Sequence, residues 1–290
     1  MRPSETFVRL IIALALVASA GIGMVRAQNA SDRVDWTDIG LLSGIVTDGN
    51  SEAWTLGLKN TLGAKGAKSM FELQTSGYQA QSTTRTRFAV GPSATSFQVV
   101  EVKSDWEAES YIVGLRYDRL MAKRMYWLVG GGWERNRLKG LKDRFMEVAG
   151  IGARWIDEEK ALFRTDISAT STTEHDVLDN PLEDSSFPGV RLSEKFQKTF
   201  STGATLGHEL VLDQNLDRTD DRRADMSLWV SFASGPHLAL QAGAQLLYDW
   251  EPAMQEIPRF SAPFIYSGEN VRIPFKEFDK IFTTSLVVVF

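Results

Sequence analysis

Phe278–Phe290 reads FDKIFTTSLVVVF, and its two alternating residue sets differ. Counting back by two from the end gives Phe290, Val288, Leu286, Thr284, Phe282 and Lys280. The other set is Val289, Val287, Ser285, Thr283, Ile281 and Asp279. The first stays apolar nearly to its outer end, whereas the second turns polar within a few residues. A period of two with unlike faces is a β-strand. A strand that finishes on Phe290 has the form of the closing strand of an outer-membrane β-barrel, whose terminal aromatic residue is the barrel-insertion signal. A sandwich ending in Phe would read the same, so the preceding strands must decide.

Those strands come with turns of two lengths. Short turns fall at Gly63–Lys68, Met121–Arg124, Asp157–Lys160, Ser201–Gly203 and Ser234–Pro236. Longer connections fall between them, at Ser82–Asp105, Arg137–Lys142, Glu174–Ser186, Gln214–Asp221 and Glu251–Glu277. The predicted strands are Trp36–Thr47, Glu52–Leu62, Ser69–Gln81, Trp106–Leu120, Met125–Asn136, Asp143–Ile156, Ala161–Thr173, Phe187–Phe200, Ala204–Asp213, Arg222–Ala233, His237–Trp250 and Phe278–Phe290. An even number of strands, with short turns on one side and long loops on the other, is the outer-membrane pattern. The expected fold is therefore all-β, an antiparallel up-and-down transmembrane β-barrel of twelve strands.

Alternation supports that reading without separating a membrane barrel from an ordinary one. In Arg222–Ala233, Ala224, Met226, Leu228, Val230 and Phe232 oppose Arg223, Asp225, Ser227, Trp229 and Ser231. The positions of the aromatics discriminate better. Phe71, Tyr117, Trp127, Phe163, Phe200, Phe232 and Phe290 gather at the short-turn end, and Trp54, Trp133, Tyr248 and Trp250 toward the loops. Two aromatic girdles around a band of Val, Leu, Ile and Ala fit a bilayer with two interfaces. Two predicted strands lack a clean pattern. Trp36–Thr47 is apolar on both faces, and Asp143–Ile156 sets Glu147 on one face and Arg154 on the other.

The totals narrow the function classes. The 290 residues include no cysteine, 43% hydrophobic and 24% charged residues, and carry a net charge of −5. That is an ordinary folded composition. Arg2, Arg9 and Arg26 against Glu5 give residues 1–27 a charge of +2, which leaves −7 for the rest. An acidic remainder argues against nucleic-acid binding. The absence of cysteine removes thiol catalysis and Cys-ligated zinc. Arg2 and Arg9 precede an apolar run from Leu10 to Val25, and Val25-Arg26-Ala27 offers a cleavage site. Residues 1–27 are expected to be a signal peptide, 28–35 a short lead-in, and 36–290 the barrel. The run of sixteen falls short of the roughly 20 residues a spanning helix needs.

Several strings resemble a known family. Trp36 followed by Thr47-Asp48-Gly49-Asn50-Ser51, then Tyr111–Leu120 (YIVGLRYDRL) and Tyr126–Phe145 (YWLVGGGWERNRLKGLKDRF), resemble the YdiY-like family of salt-induced outer-membrane proteins. Phe196–Phe232 and Phe290 continue the likeness over nearly all of the mature chain. The chain departs from the family at Asp48, where Ser is usual, and in long inserts at Ser82–Asp105 and Glu251–Glu277. The resemblance implies an outer-membrane barrel without an established molecular activity, so no catalytic residues carry over.

The inward set is rich in both signs: Lys59, Glu72, Arg116, Asp118, Glu134, Arg164, Asp166, Lys195, Glu209, Arg223, Asp225 and Asp249. These charges line either a narrow pore for small solutes or ions, or a lumen closed by internal ion pairs; the expected role is such a pore or that of an envelope-stress (salt or acid) barrel. Twelve strands fall between about 8, which fill with side chains, and 16–18, which leave a channel. A surface role through Ser82–Asp105 and Glu251–Glu277 is the alternative. Phe260, Pro263, Phe264, Ile265 and Tyr266 make the latter loop apolar enough to fold over the mouth.

Lipid hydrolysis would need a nucleophile and a base within hydrogen-bond reach. Of the three histidines, His175 and His237 fall in a loop and a turn, and His208 faces lipid without a serine two residues on; no G-x-S-x-G occurs. Asp213-x-Asn215-x-Asp217 begins like a calcium loop, but Arg218 and Ala224 replace the required glycine and glutamate. No enzyme activity, cofactor or metal is expected. The expected partners are outer-membrane lipid, the barrel-assembly machinery and small solutes or ions.

Overall fold

The computed structural model describes residues 34–47, 51–93, 96–178, 185–262 and 265–289. The expected signal peptide (1–27), most of the lead-in and the Phe290 signal lie outside the described residues. So do Asp48-Gly49-Asn50 of the first hairpin, and Pro263 and Phe264 of the last loop.

The strands are β1 (Asp35–Thr47), β2 (Ser51–Lys65), β3 (Ser69–Ser93), β4 (Ser96–Leu120), β5 (Met125–Asn136), β6 (Leu141–Glu158), β7 (Ala161–Asp176) and β8 (Ser186–Thr199). They continue with β9 (Ala204–Asn215), β10 (Arg222–Ala233), β11 (Leu238–Asp249), β12 (Met254–Ala262), β13 (Ile265–Pro274) and β14 (Phe278–Val289). Twelve of them close into one antiparallel barrel, in the order β1-β14-β11-β10-β9-β8-β7-β6-β5-β4-β3-β2. β12 and β13 form a separate two-stranded sheet. Neighbours in the barrel are neighbours in sequence except where β11 meets β14 and where β14 meets β1.

The direction of burial decides what the alternation could not. Large apolar side chains stand on the outside: Leu115, Ile151, Ile167, Leu192, Leu240 and Phe282 are all exposed, Phe282 to 73%. Charged groups are buried inside, with Asp118 at 0% and Asp166 at 7% exposure. A water-soluble barrel would reverse the two faces. Closure also leaves no open sheet edge around most of the wall, as a lipid-facing sheet requires. Aromatic pairs band the outer wall at both ends: Tyr117 against Trp127, 5.5 Å apart, near the short turns, and Tyr248 against Trp250, 4.2 Å apart, near the loops.

Two expected loops are largely β-structure. The predicted strands Ser69–Gln81 and Trp106–Leu120 do not stop there; β3 and β4 stay paired out to Ser93↔Ser96. β2 leaves β3 at Thr84, and β5 joins β4 at Ser110, so among the described residues the outer part pairs only with itself. At ~3.3 Å per residue this ribbon stands roughly 30 Å beyond the wall. The Glu251–Glu277 connection contains the β12–β13 hairpin. Arg137–Lys142 contains a 3-10 turn at Arg137–Lys139, closed by Gly140 in the left-handed region (φ 73°). The short turn Ser201–Gly203 needs a glycine for the same reason, with Gly203 at φ 80°.

Candidate functional site

The lumen contains a cavity of about 500 Å³. It is lined by Lys59, Glu72, Arg116, Glu134, Arg164, Asp166, Lys195, Glu209, Arg223, Asp225 and Asp249, that is, by eleven of the twelve charged positions singled out in the sequence. The twelfth, Asp118, lies beneath it and is fully buried. Alternation explains the placement: once Val113, Leu115 and Tyr117 face lipid, Arg116 and Asp118 must face inward.

Toward the short turns the lumen is filled. Arg116 of β4 reaches past β5 and β6 to Asp166 of β7, with Nη1 to Oδ2 at 2.8 Å, and also holds Asp118 at 2.7 Å. Arg164 lies 3.7 Å from the other Asp118 oxygen, and Ser193 donates to Asp166 at 2.9 Å. The Tyr126 hydroxyl donates to Asp166, and the Arg154 guanidinium lies 5.4 Å from the Tyr126 ring centre. Tyr126 is 0% exposed. It fits because its neighbour is Gly152, where any Cβ would overlap both Tyr126 and Asp166. On the opposite wall the Trp229 indole occupies the space left by Gly207, where a Cβ would overlap that ring. Buried charges need such pairing to be tolerated.

Toward the long loops the same residue types surround open space. Arg144 bonds Glu174 at 2.8 Å and Glu134 at 3.3 Å. Arg223 of β10 reaches past β9 and β8 to Glu174 at 2.9 Å, and also contacts Asp221 and Asp249. Arg191 grips Asp213 through two bonds of 2.7 and 2.8 Å, and Lys195 pairs with Glu209. The wall opposite is bare: a Cβ at Gly114 would meet nothing within 4 Å.

The mouth is partly covered. Gly140 sits against Phe275 and Ala253, so the base of the β12–β13 hairpin meets the β5–β6 connection, which lies on the far side of the ring. Arg218 of the β9–β10 connection pairs with Glu251 beside that base.

Several side chains outside the predicted lumen set matter here. Tyr126, Arg144, Arg154, Glu174, Arg191 and Asp213 all join the network. Strict alternation through β8 places Arg191 inward as soon as Val190 and Leu192 face out, so the signal was present. The pairing partners across the lumen were not, because they depend on how the strands are staggered. Asp213 of the calcium-like string points to Arg191, and Asn215 organises the loop, accepting from the Asp217 amide at 2.9 Å.

His208 lies on the outer wall, stacked on Phe196 at 5.7 Å and bonded to Glu194 at 2.6 Å. His175 is exposed, and His237 bonds the Val289 carbonyl at the short-turn end. Among the described residues no group of three or more His, Cys, Asp or Glu is placed to hold a metal ion.

Comparison with known families gives one match, to the family described as "Protein of unknown function, DUF481", over residues 41–258. The chain belongs to this family. The matched span runs from β1 into β12 and so includes every lumen charge named above. No protein with a curated description matches. Among solved structures, a FadL homologue of Pseudomonas aeruginosa is 11% identical over 91% of this chain and 76% of its own, with a TM-score of 0.35. An anion-selective porin from Comamonas acidovorans is 9% identical over 89% and 100%, with a TM-score of 0.37. The translocator domain of the autotransporter NalP from Neisseria meningitidis is 11% identical over 99% and 97%, also with a TM-score of 0.37.

Proposed function

We propose that this DUF481 chain is an outer-membrane barrel whose lumen is a closed-bottomed, charge-lined vestibule that opens toward the cell exterior. The observation that carries this reading is the filled layer of Asp118, Tyr126, Arg164 and Asp166 beneath the cavity. Short turns on the periplasmic side and long loops outside set the orientation. The YdiY-like resemblance of Tyr111–Leu120 and Tyr126–Phe145 supports the envelope setting. Lipid contacts the apolar outer wall, and the assembly machinery inserts the barrel.

This is a barrier and binding role and not a catalytic one. His208 faces Phe196 and Leu228 on its neighbouring strands, with no serine opposite it. The test is single-channel conductance of the refolded mature protein in planar bilayers, after heat-modifiable gel mobility has confirmed a folded barrel. The expected result is a folded but silent barrel. Steady open steps from the native protein would overturn the reading and make the twelve lumen charges a pore lining.

A further inference from the structure

One lumen carboxylate near the mouth is held by an uncharged side chain alone. Asp225 is held by the Gln245 side-chain amide, with bonds of 3.0 and 2.8 Å, and among the described residues it has no ion pair. The register explains why. Directly opposite Asp225 stand Val211 on β9 and Leu247 on β11, both aliphatic, and Ile281 on β14 lies beside Gln245. Arg223, two residues away on the same face, is engaged by Glu174, Asp221 and Asp249. Glu209 is held by Lys195, and Glu134 by Arg144. Lys139 of the mouth turn lines the same cavity, and among the described residues no ion pair joins it to Asp225.

Asp225 is thus a carboxylate in an aliphatic niche, open to the cavity and lacking the cation that Glu134, Glu174, Glu209 and Asp249 each have. A buried carboxylate without a cation is costly to maintain. Two more acceptors at the mouth, Asn136 Oδ1 and Glu251 Oε2, are buried without a hydrogen-bond partner, and both residues line the same cavity. Among the described residues no carboxylate or histidine cluster is placed to hold a metal ion as the missing charge. A cavity of about 500 Å³ lies within the ~300–1,000 Å³ of small-molecule sites.

We propose that the vestibule binds a small amphipathic organic cation, its ammonium group on Asp225 and its short aliphatic body against Val211, Leu247 and Ile281. Gln245 orients the carboxylate by donating to both of its oxygens. Selection against anions follows from the missing cation, and selection against bare inorganic cations from the aliphatic walls. The proposal uses the vestibule reading only for entry from the loop side.

The test is calorimetric titration of the refolded protein in detergent with n-butylammonium, with butyrate as the matched anion. Saturable binding of butylammonium alone is expected, and Asp225→Asn should weaken it at least tenfold. Lys139→Ala, at the mouth of the cavity, should tighten it about threefold by removing a competing charge. If Asp225→Asn does not fold, the Lys139→Ala result decides. No saturable binding to the native protein, equal binding of butyrate, or unchanged affinity in these variants would overturn the site. Conductance recorded on the same preparation separates this failure from that of the vestibule reading: a silent barrel that binds nothing sinks only the Asp225 site.

Discussion

The two halves of the lumen use the same residue types and arrive at opposite results. Near the short turns, arginines, aspartates and one tyrosine fill the lumen. Near the loops, arginines and glutamates pair equally well around an empty centre. The difference lies in what the glycines face. Gly152 and Gly207 lie under the Tyr126 and Trp229 rings, so their missing side chains are replaced by aromatic ones. Gly114 faces nothing, and its missing side chain leaves open volume. Closure of a twelve-stranded lumen therefore depends on a few rings seated on glycines, while ion pairs hold both halves in shape.

Breaking the lower network should have the largest effect. Asp166→Ala removes the acceptor shared by Arg116, Tyr126 and Ser193, and stranding a buried charge costs about 3–5 kcal/mol. The temperature at which heat-modifiable mobility is lost should fall sharply; an unchanged value would show the network to be dispensable. Next comes a matched pair of substitutions. Gly152→Leu should severely impair folding because it overlaps Tyr126 and Asp166, whereas Gly114→Leu should change stability by less than ~1 kcal/mol, because it meets no neighbour and only fills volume. Equal outcomes for the two would dissolve the contrast between the halves.

The combined variant Tyr126→Ala and Trp229→Ala should convert a silent barrel into one with conductance steps, recorded in planar bilayers. Deleting Ile257–Ile273 should leave the native barrel silent and raise conductance only in that opened background, since the hairpin covers a mouth above a closed floor. The smallest effect belongs to the outer wall. His208→Phe keeps a ring stacked on Phe196 and should leave the heat-modifiable mobility nearly unchanged, with no change in phospholipid hydrolysis measured on mixed micelles.

Much of this architecture was legible in residue order. Period-two alternation from Met125 to Asn136 and from Arg222 to Ala233, broken by alternating short and long connections, gave the strands and their inward faces. Ser82–Asp105 looked like a loop because its Thr-Arg-Thr-Arg run has no apolar face to bury; its pairing needs no core, only the partner strand. The β12–β13 hairpin was hidden similarly, by prolines at 258, 263 and 274 that read as breaks. Tyr126 is hard to single out beside Trp127, whose outward position fits the aromatic girdle, because alternation alone does not tell a packed inward ring from one that lines open space. The unlike surroundings of Asp225 and Glu174 could not be read at all. They arise from which residues meet across strands distant in sequence, and stagger fixes that.

The join between the first and last strands has a kinetic consequence. Among the described residues β1 and β14 share five residue pairs, from Ile39↔Val289 to Ser43↔Ser285, whereas β1 and β2 share thirteen. Nearly every other contact in the wall is a hairpin between sequence neighbours and can zip as soon as its turn forms. This seam must bring together opposite ends of the chain, with the largest loss of chain entropy and the fewest pairs to offset it. Ring closure is thus the slow step of folding, and the seam the first place to reopen.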